Sequence, residues 1–307
     1  MEVAARFRRN ASRAVVGVVA ALILASVAGN AATDTNSQRN PAEAAVVEAD
    51  VRHSQAISLI ESADVLLAQG NLEQALAPAS QARSILQDML AAEPHNVRRL
   101  HDLWLSDNKL GDILAAAGRF DEALAAYRNG FAIINALVEN DGRNTGWQHD
   151  LSVNDNKIGD LLLGQGHLDD ALATYRNSFA IIKALVQKDR TNTQWQGDLQ
   201  LSIDNIGDLA FRFVLTHEFK KALEISDEAI SLAPEKIWLH MNRSHALMFL
   251  GRVDEARELY LRNCGEVNVV GEQSYEKVLL EDFAELRKAG LTHPLMDAIE
   301  KQLAKRG

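Results

Sequence analysis

The chain has 307 residues, of which 47% are apolar and 24% charged, the balance of a folded protein rather than a disordered tail or a fibre. Lys and Arg number 32 against 42 Asp and Glu, so the net charge of −10 offers no basic surface for phosphates, and nucleic acid is not an expected partner. A single cysteine, Cys264, excludes a disulfide scaffold and a paired-thiol zinc site.

In chain order, the first element is an export segment. Arg6, Arg8, Arg9 and Arg13 precede Ala14 to Ala28, 15 residues without a charge. A basic start, a short apolar run and small residues at Ala28 and Ala31 match a secretory signal over residues 1–32. The expected location is outside the cytoplasm, periplasmic or secreted. An uncleaved inner-membrane anchor is the alternative, although a full span takes about 20 apolar residues. Membrane contact is expected only through such an uncleaved segment. Arg8-Arg9 is followed by Asn10-Ala11 and is a weak twin-arginine signal. Removing residues 1–32 changes the net charge from −10 to −13. Residues 33–39 (TDTNSQR) form a polar linker. At Asn40-Pro41-Ala42-Glu43 an N-cap, an N1 proline and a capping-box Glu start the first helix.

From there the chain repeats. Segments 102–149 and 150–197 agree at 28 of 48 positions. DNKLGDIL from Asp107 returns as DNKIGDLL from Asp155 and, looser, as IDNIGDLA from Ile203. GRFDEALAAYRNGFAIINALV from Gly118 returns from Gly166. An eroded copy surrounds Gly70, with Leu72, Ala75 and Ala82 in register; a later one begins at Phe219, three residues beyond the period, and Ile237 to Tyr260 follows. Leu110, Leu114, Leu124, Phe131 and Ile134 recur at helical spacing, so each unit reads as two amphipathic helices. Gly118 and Gly166 mark where the first helix stops. Ala123 and Ala171 are expected at close helix contacts.

Ala222, Ala229, Pro234, Leu247, Gly251, Ala256 and Tyr260, spaced on a 34-residue unit, resemble the tetratricopeptide repeat family. So do Leu110, Gly111, Leu114, Gly118, Phe120, Ala123 and Tyr127, and their counterparts Ile158, Gly159, Leu162, Gly166, Leu168, Ala171 and Tyr175. The resemblance, over roughly residues 50–263, implies an all-α, right-handed superhelical solenoid of antiparallel helix pairs. A period of 48 instead of 34 implies a long-period type of the kind found in bacterial scaffold proteins, with about seven extra residues in each helix. About five pairs over residues 40–263 form one elongated unit. Residues 274–289 and 294–305 read as two further helices, with Gly290 as stop and Pro294 as start, and residues 264–307 are expected to cap the array or to dock a partner.

Catalytic motifs are not found: there is no HExxH, GxSxG, GxxxxGK or paired CxxC. Neither an enzyme nor a cofactor is expected. The nine histidines read as scattered, and His240 and His245, about 140° apart on a helix, do not converge on a metal. Cys264 reads as an inert thiol. The polar residues that do recur are Asn108, Lys109 and Asp112; Asn156, Lys157 and Asp160; and Asp204, Asn205 and Asp208. The resemblance places them along the concave groove, where they would bind a protein or an extended peptide. A structural reading stands beside it: Lys109–Asp112 and Lys157–Asp160 as i,i+3 ion pairs, with the asparagines tying repeats together. Trp147 and Trp195, at equivalent positions, are expected to pack between repeats.

Overall fold

The computed structural model describes residues 40–267 and 273–305, with the side chains of Pro41 and Ala42 excepted. The export segment and linker expected over residues 1–39 lie outside the described residues. Among the described residues twelve helices follow one another: α1 (Pro41–Ala68), α2 (Leu72–Ala92), α3 (Val97–Ala116), α4 (Phe120–Asn140), α5 (Thr145–Gly164), α6 (Leu168–Lys188), α7 (Thr193–Leu215), α8 (Phe219–Leu232), α9 (Ile237–Phe249), α10 (Val253–Arg262), α11 (Tyr275–Lys288) and α12 (Pro294–Leu303). The chain is all-α, and its contacts separate two compact units, Met1–Gly164 and Gln165–Gly307.

In the first unit each helix packs on the next, from α1 on α2 to α4 on α5, and α1 also touches α3. This is the neighbour-to-neighbour stacking of a helical solenoid. Its core is built from Ala56, Ile60, Ala82, Leu86, Leu90 and Leu103, continued by Ala63, Ala75, Ala79 and Ile113. In the second unit α6 to α10 stack in the same serial way, α12 reaches α10, and α11 packs on α12.

Helix lengths follow the period. The helices α4 and α6 have 21 residues against 14 for α8, while α3 and α5 have 20 against 13 for α9. Seven residues are close to two whole turns, so the buried stripe keeps its phase. The helix α7 has 23 residues, and that extension accounts for the three-residue offset seen at Phe219. Small residues let the helices approach. A Cβ on Gly111 would lie 2.4 Å from the ring of Tyr127, and one on Gly207 would lie 2.3 Å from Leu239. Ala123 and Ala171 are fully buried, as expected of contact positions.

The helices α3, α5 and α7 begin on an asparagine cap that recurs every 48 residues. The Oδ1 atoms of Asn96, Asn144 and Asn192 accept from the backbone N–H of Arg99, Trp147 and Trp195, each at 3.1 Å. Trp147 and Trp195 thus stand in the first turn of their helices, half-buried.

The first helices end in Schellman turns. Gly118 has φ +78°, its N–H reaches Ala115 O, and Arg119 N–H reaches Leu114 O at 2.8 Å. At the end of α7 the same bonds run from His217 to Val214 and from Glu218 to Phe213, yet the left-handed residue is His217, with φ +66°. A side chain there is strained by about 1 kcal/mol relative to glycine. The substitution His217→Gly is therefore expected to raise stability by about 1 kcal/mol, seen as a higher urea midpoint at unchanged slope. A lower midpoint would show that the ring's contact with Phe219 outweighs the strain.

Candidate functional site: the polar ladder of the first helices

The recurring lysines pair between helix pairs, not within one helix. Lys109 Nζ lies 2.9 Å from Asp64 of α1, and Lys157 Nζ lies 2.7 Å from Asp112 of α3. The i,i+3 pairs Lys109–Asp112 and Lys157–Asp160 are therefore a correction: stacked first helices bring a lysine closer to the carboxylate 45 residues earlier than to the one a turn ahead. Asp112 also accepts from Tyr127 Oη at 2.6 Å, and the Lys157 ammonium stands 5.4 Å from the centre of that ring. Burial, together with Asp112 and Asp160, holds the Tyr127 phenol well above its usual pKa.

The asparagines divide. Asn108 is buried; its Nδ2 donates to Trp104 O, and its Oδ1 accepts from Asn154 Nδ2 at 3.3 Å. Asn205 is buried as well. Asn156 is half-buried, and its Oδ1 is enclosed without a partner. Lys109, Asp112, Lys157, Asp160, Asp204 and Asp208 are all partly exposed. Asp204 is ion-paired with Lys236 of the turn before α9.

The histidines are not scattered, which corrects the sequence reading. His53, His101 and His149 recur every 48 residues on first helices, as do Asp102, Asp150 and Asp198. His53 Nε2 lies 2.6 Å from Asp102 Oδ2, and His101 Nε2 lies 2.8 Å from Asp150 Oδ2. A second polar ladder therefore links the first helices of successive pairs. Comparison of the chain with itself at an offset of 48 contains this signal in His101 and His149 and in Asp102, Asp150 and Asp198, and the least similar copy, around residue 53, extends it.

Asp107 and Asp155 are equivalent, and both are buried. Asp107 is met by Arg83 of α2, Nε to Oδ1 at 2.5 Å; burial pushes its pKa up and the guanidinium pulls against that. Phe131 stands 48 residues after Arg83, and Asp155 has no ion pair among the described residues. Burial alone raises its pKa from 3.8 to about 7. A carboxyl whose folded pKa is raised binds its proton more tightly in the folded state, so stability falls as pH rises from about 4 to about 7 and then levels. Asp155→Asn should remove this arm, leaving stability near pH 4 little changed and raising it by a few kcal/mol at pH 8. Urea unfolding at the two pH values checks it; an equal effect at both would refute the buried carboxylate.

One constellation in the second unit has the form of a catalytic relay. Asp282 Oδ2 lies 3.1 Å from His245 Nε2, and Tyr260 Oη lies 2.8 Å from His245 Nδ1. His245 and Tyr260 are fully buried, and Phe283 packs on both rings. Burial raises the Tyr260 phenol well above its usual range, so it stays protonated. The three residues join α9, α10 and α11, so the cluster fastens the C-terminal helices to the last pair. Cys264 lies at that same junction, its Sγ 3.4 Å from Tyr260 O. His240, by contrast, bonds Pro234 O at 2.9 Å. Among the described residues no group of three or more His, Cys, Asp or Glu side chains is placed to hold a metal ion.

The tetratricopeptide repeat family model matches residues 58–77, 108–129 and 237–262. A search of curated proteins by sequence finds no match. Solved structures with a similar course of chain include the MamA protein, at 17% identity over 78% of this chain and 97% of that one, TM-score 0.44. A Podosopora anserina putative kinesin light chain with TPR-like repeats is 15% identical over 68% of this chain and 93% of that one, TM-score 0.44. Pseudomonas aeruginosa pilF is 16% identical over 83% and 92%, TM-score 0.35.

Proposed function

We propose that the chain is an exported, non-catalytic tetratricopeptide-type scaffold of the long-period kind, which binds a protein or an extended peptide along the concave side of its first helices. The observation that carries this reading is the ladder itself: equivalent charged side chains recur every 48 residues on stacked first helices, partly exposed and already folded into place. A repeating row of fixed donors and acceptors suits a ligand that is itself extended and repetitive, and it lowers the entropic cost of binding. Within the ladder, Lys109, Asp112, Lys157, Asp160, Asp204 and Asp208 are the contact groups, whereas the Oδ1 of Asn156 is enclosed and out of a ligand's reach. Asn108 and Asn205 support these groups from beneath.

Export rests on the arginine-led apolar run of residues 6–28. The protein is periplasmic or secreted once the segment is cleaved, and an inner-membrane-anchored adaptor if it is kept. Among the described residues no helix is long and apolar enough to cross a membrane.

The test uses a peptide selected from a random library on the immobilised chain. In the double variant Asp112→Lys with Lys157→Asp the ion pair is kept but its polarity is reversed. The urea midpoint should fall only by the loss of the Tyr127 acceptor, about 1 kcal/mol, while affinity of the folded protein for the selected peptide falls at least tenfold, about 1.4 kcal/mol or more. Affinity unchanged within about twofold would remove the ladder from recognition.

A further inference from the structure

Among the described residues, half of the large apolar side chains that stand exposed lie on α1: Val46, Val47, Val51 and Val65, between 44% and 62% accessible. Val65 is misplaced by the logic of the repeat, and Val46 and Val47 lie in turns that the later first helices lack. The counterparts of Val65 at steps of 48 are Ile113, Leu161 and Leu209, each 1% exposed or less. In α3 this face is covered by the second helix of the preceding pair. Ser106, the counterpart of Ser58, reaches Ala79 O of α2 at 3.5 Å. On α1 no described residue covers it. The helix is also eight residues longer than α3, 28 against 20, and the extra turns at its start bear two of the four valines. The uncovered strip is therefore about 42 Å long and shaped to receive an antiparallel helix.

The order of residues along this strip says which helix fits. Ala44, Val47 and Ser54 lie on one side of position 56 at the same distances as Ala68, Val65 and Ser58 on the other, and all six are exposed. We propose that α1 pairs antiparallel with α1 of a second copy of this chain about a two-fold axis at residue 56. Val47 then meets Val65 of the partner subunit, and Ser54 meets Ser58 of the partner subunit. Such an isologous contact satisfies both copies at once and closes at two. Valine against valine supplies the burial, and serine against serine lets the backbones approach at the axis. Val51 falls opposite Glu61 of the partner subunit. A strip one helix wide is at the small end of stable interfaces, so the dimer is weak and concentration-dependent.

Sedimentation velocity of the purified full chain over a hundredfold concentration range is the test. A monomer–dimer equilibrium is expected, and Val47→Lys with Val65→Lys, which sets like charges opposite each other, should weaken it at least tenfold without changing the far-ultraviolet circular dichroism. In a Cys264→Ser background, Val47→Cys with Val65→Cys should oxidise to a single dimer band, while Val65→Cys alone should not, because the two copies of residue 65 stand about 27 Å apart along the axis. A monomer at all concentrations would overturn the proposal, whether residues 1–39 or another partner cover the strip. So would a ladder of larger species, which signifies head-to-tail stacking, or a dimer indifferent to the lysines.

Discussion

The lysines and histidines on the first helices of this protein find their carboxylate partners about one repeat away in sequence, and much of what distinguishes the molecule depends on that constraint. Hydrophobic stripes alone would stack the helices, but they leave register loosely set, because neighbouring turns of leucine and alanine are interchangeable. Polar groups are less forgiving. Lys109 with Asp64, Lys157 with Asp112, His53 with Asp102 and His101 with Asp150 each bring together atoms 45 or 49 residues apart at hydrogen-bond distance. A slip by one turn would separate every one of them. Individually such half-exposed pairs add little to stability, so their contribution lies in choosing one stacking over its neighbours.

The same constraint shows what happens when one member of a pair changes and the other does not. Arg83 and Asp107 form a matched pair across the α2–α3 contact, whereas Phe131 and Asp155 do not match across the next. The repeat copied the carboxylate without its cation. His217 is a comparable mismatch in the backbone, a side chain standing where the other first helices end on glycine. Both sit in an array whose stability is shared among neighbours, where a local cost is offset by contacts on either side.

Much of this was legible in the sequence. The helix pairs, the glycine stops at Gly118 and Gly166, the longer helices and the C-terminal helix pair all follow from periodicity and spacing, since these features are local. The direction of the ion pairs was not, because Lys109 has carboxylates at both i+3 and i−45, and only the separation between stacked helices decides between them. Burial of Asn108 was hidden for a related reason: an asparagine on a first helix reads the same whether it faces solvent or the neighbouring pair. The histidine ladder and the asparagine caps at 96, 144 and 192 were present in the letters at the correct interval. Both are single residues set in otherwise divergent surroundings, and a search by contiguous motifs passes over them.

The claim that charged partners across the pair interface fix the stack is tested most directly on Arg83 and Asp107, by a double-mutant cycle of Arg83→Met and Asp107→Asn followed by urea unfolding at pH 7. Arg83→Met alone leaves a buried carboxylate uncompensated and should cost about 3 kcal/mol, most of which the second substitution should recover, giving a coupling of more than 1 kcal/mol. Two substitutions whose effects simply add would contradict the account.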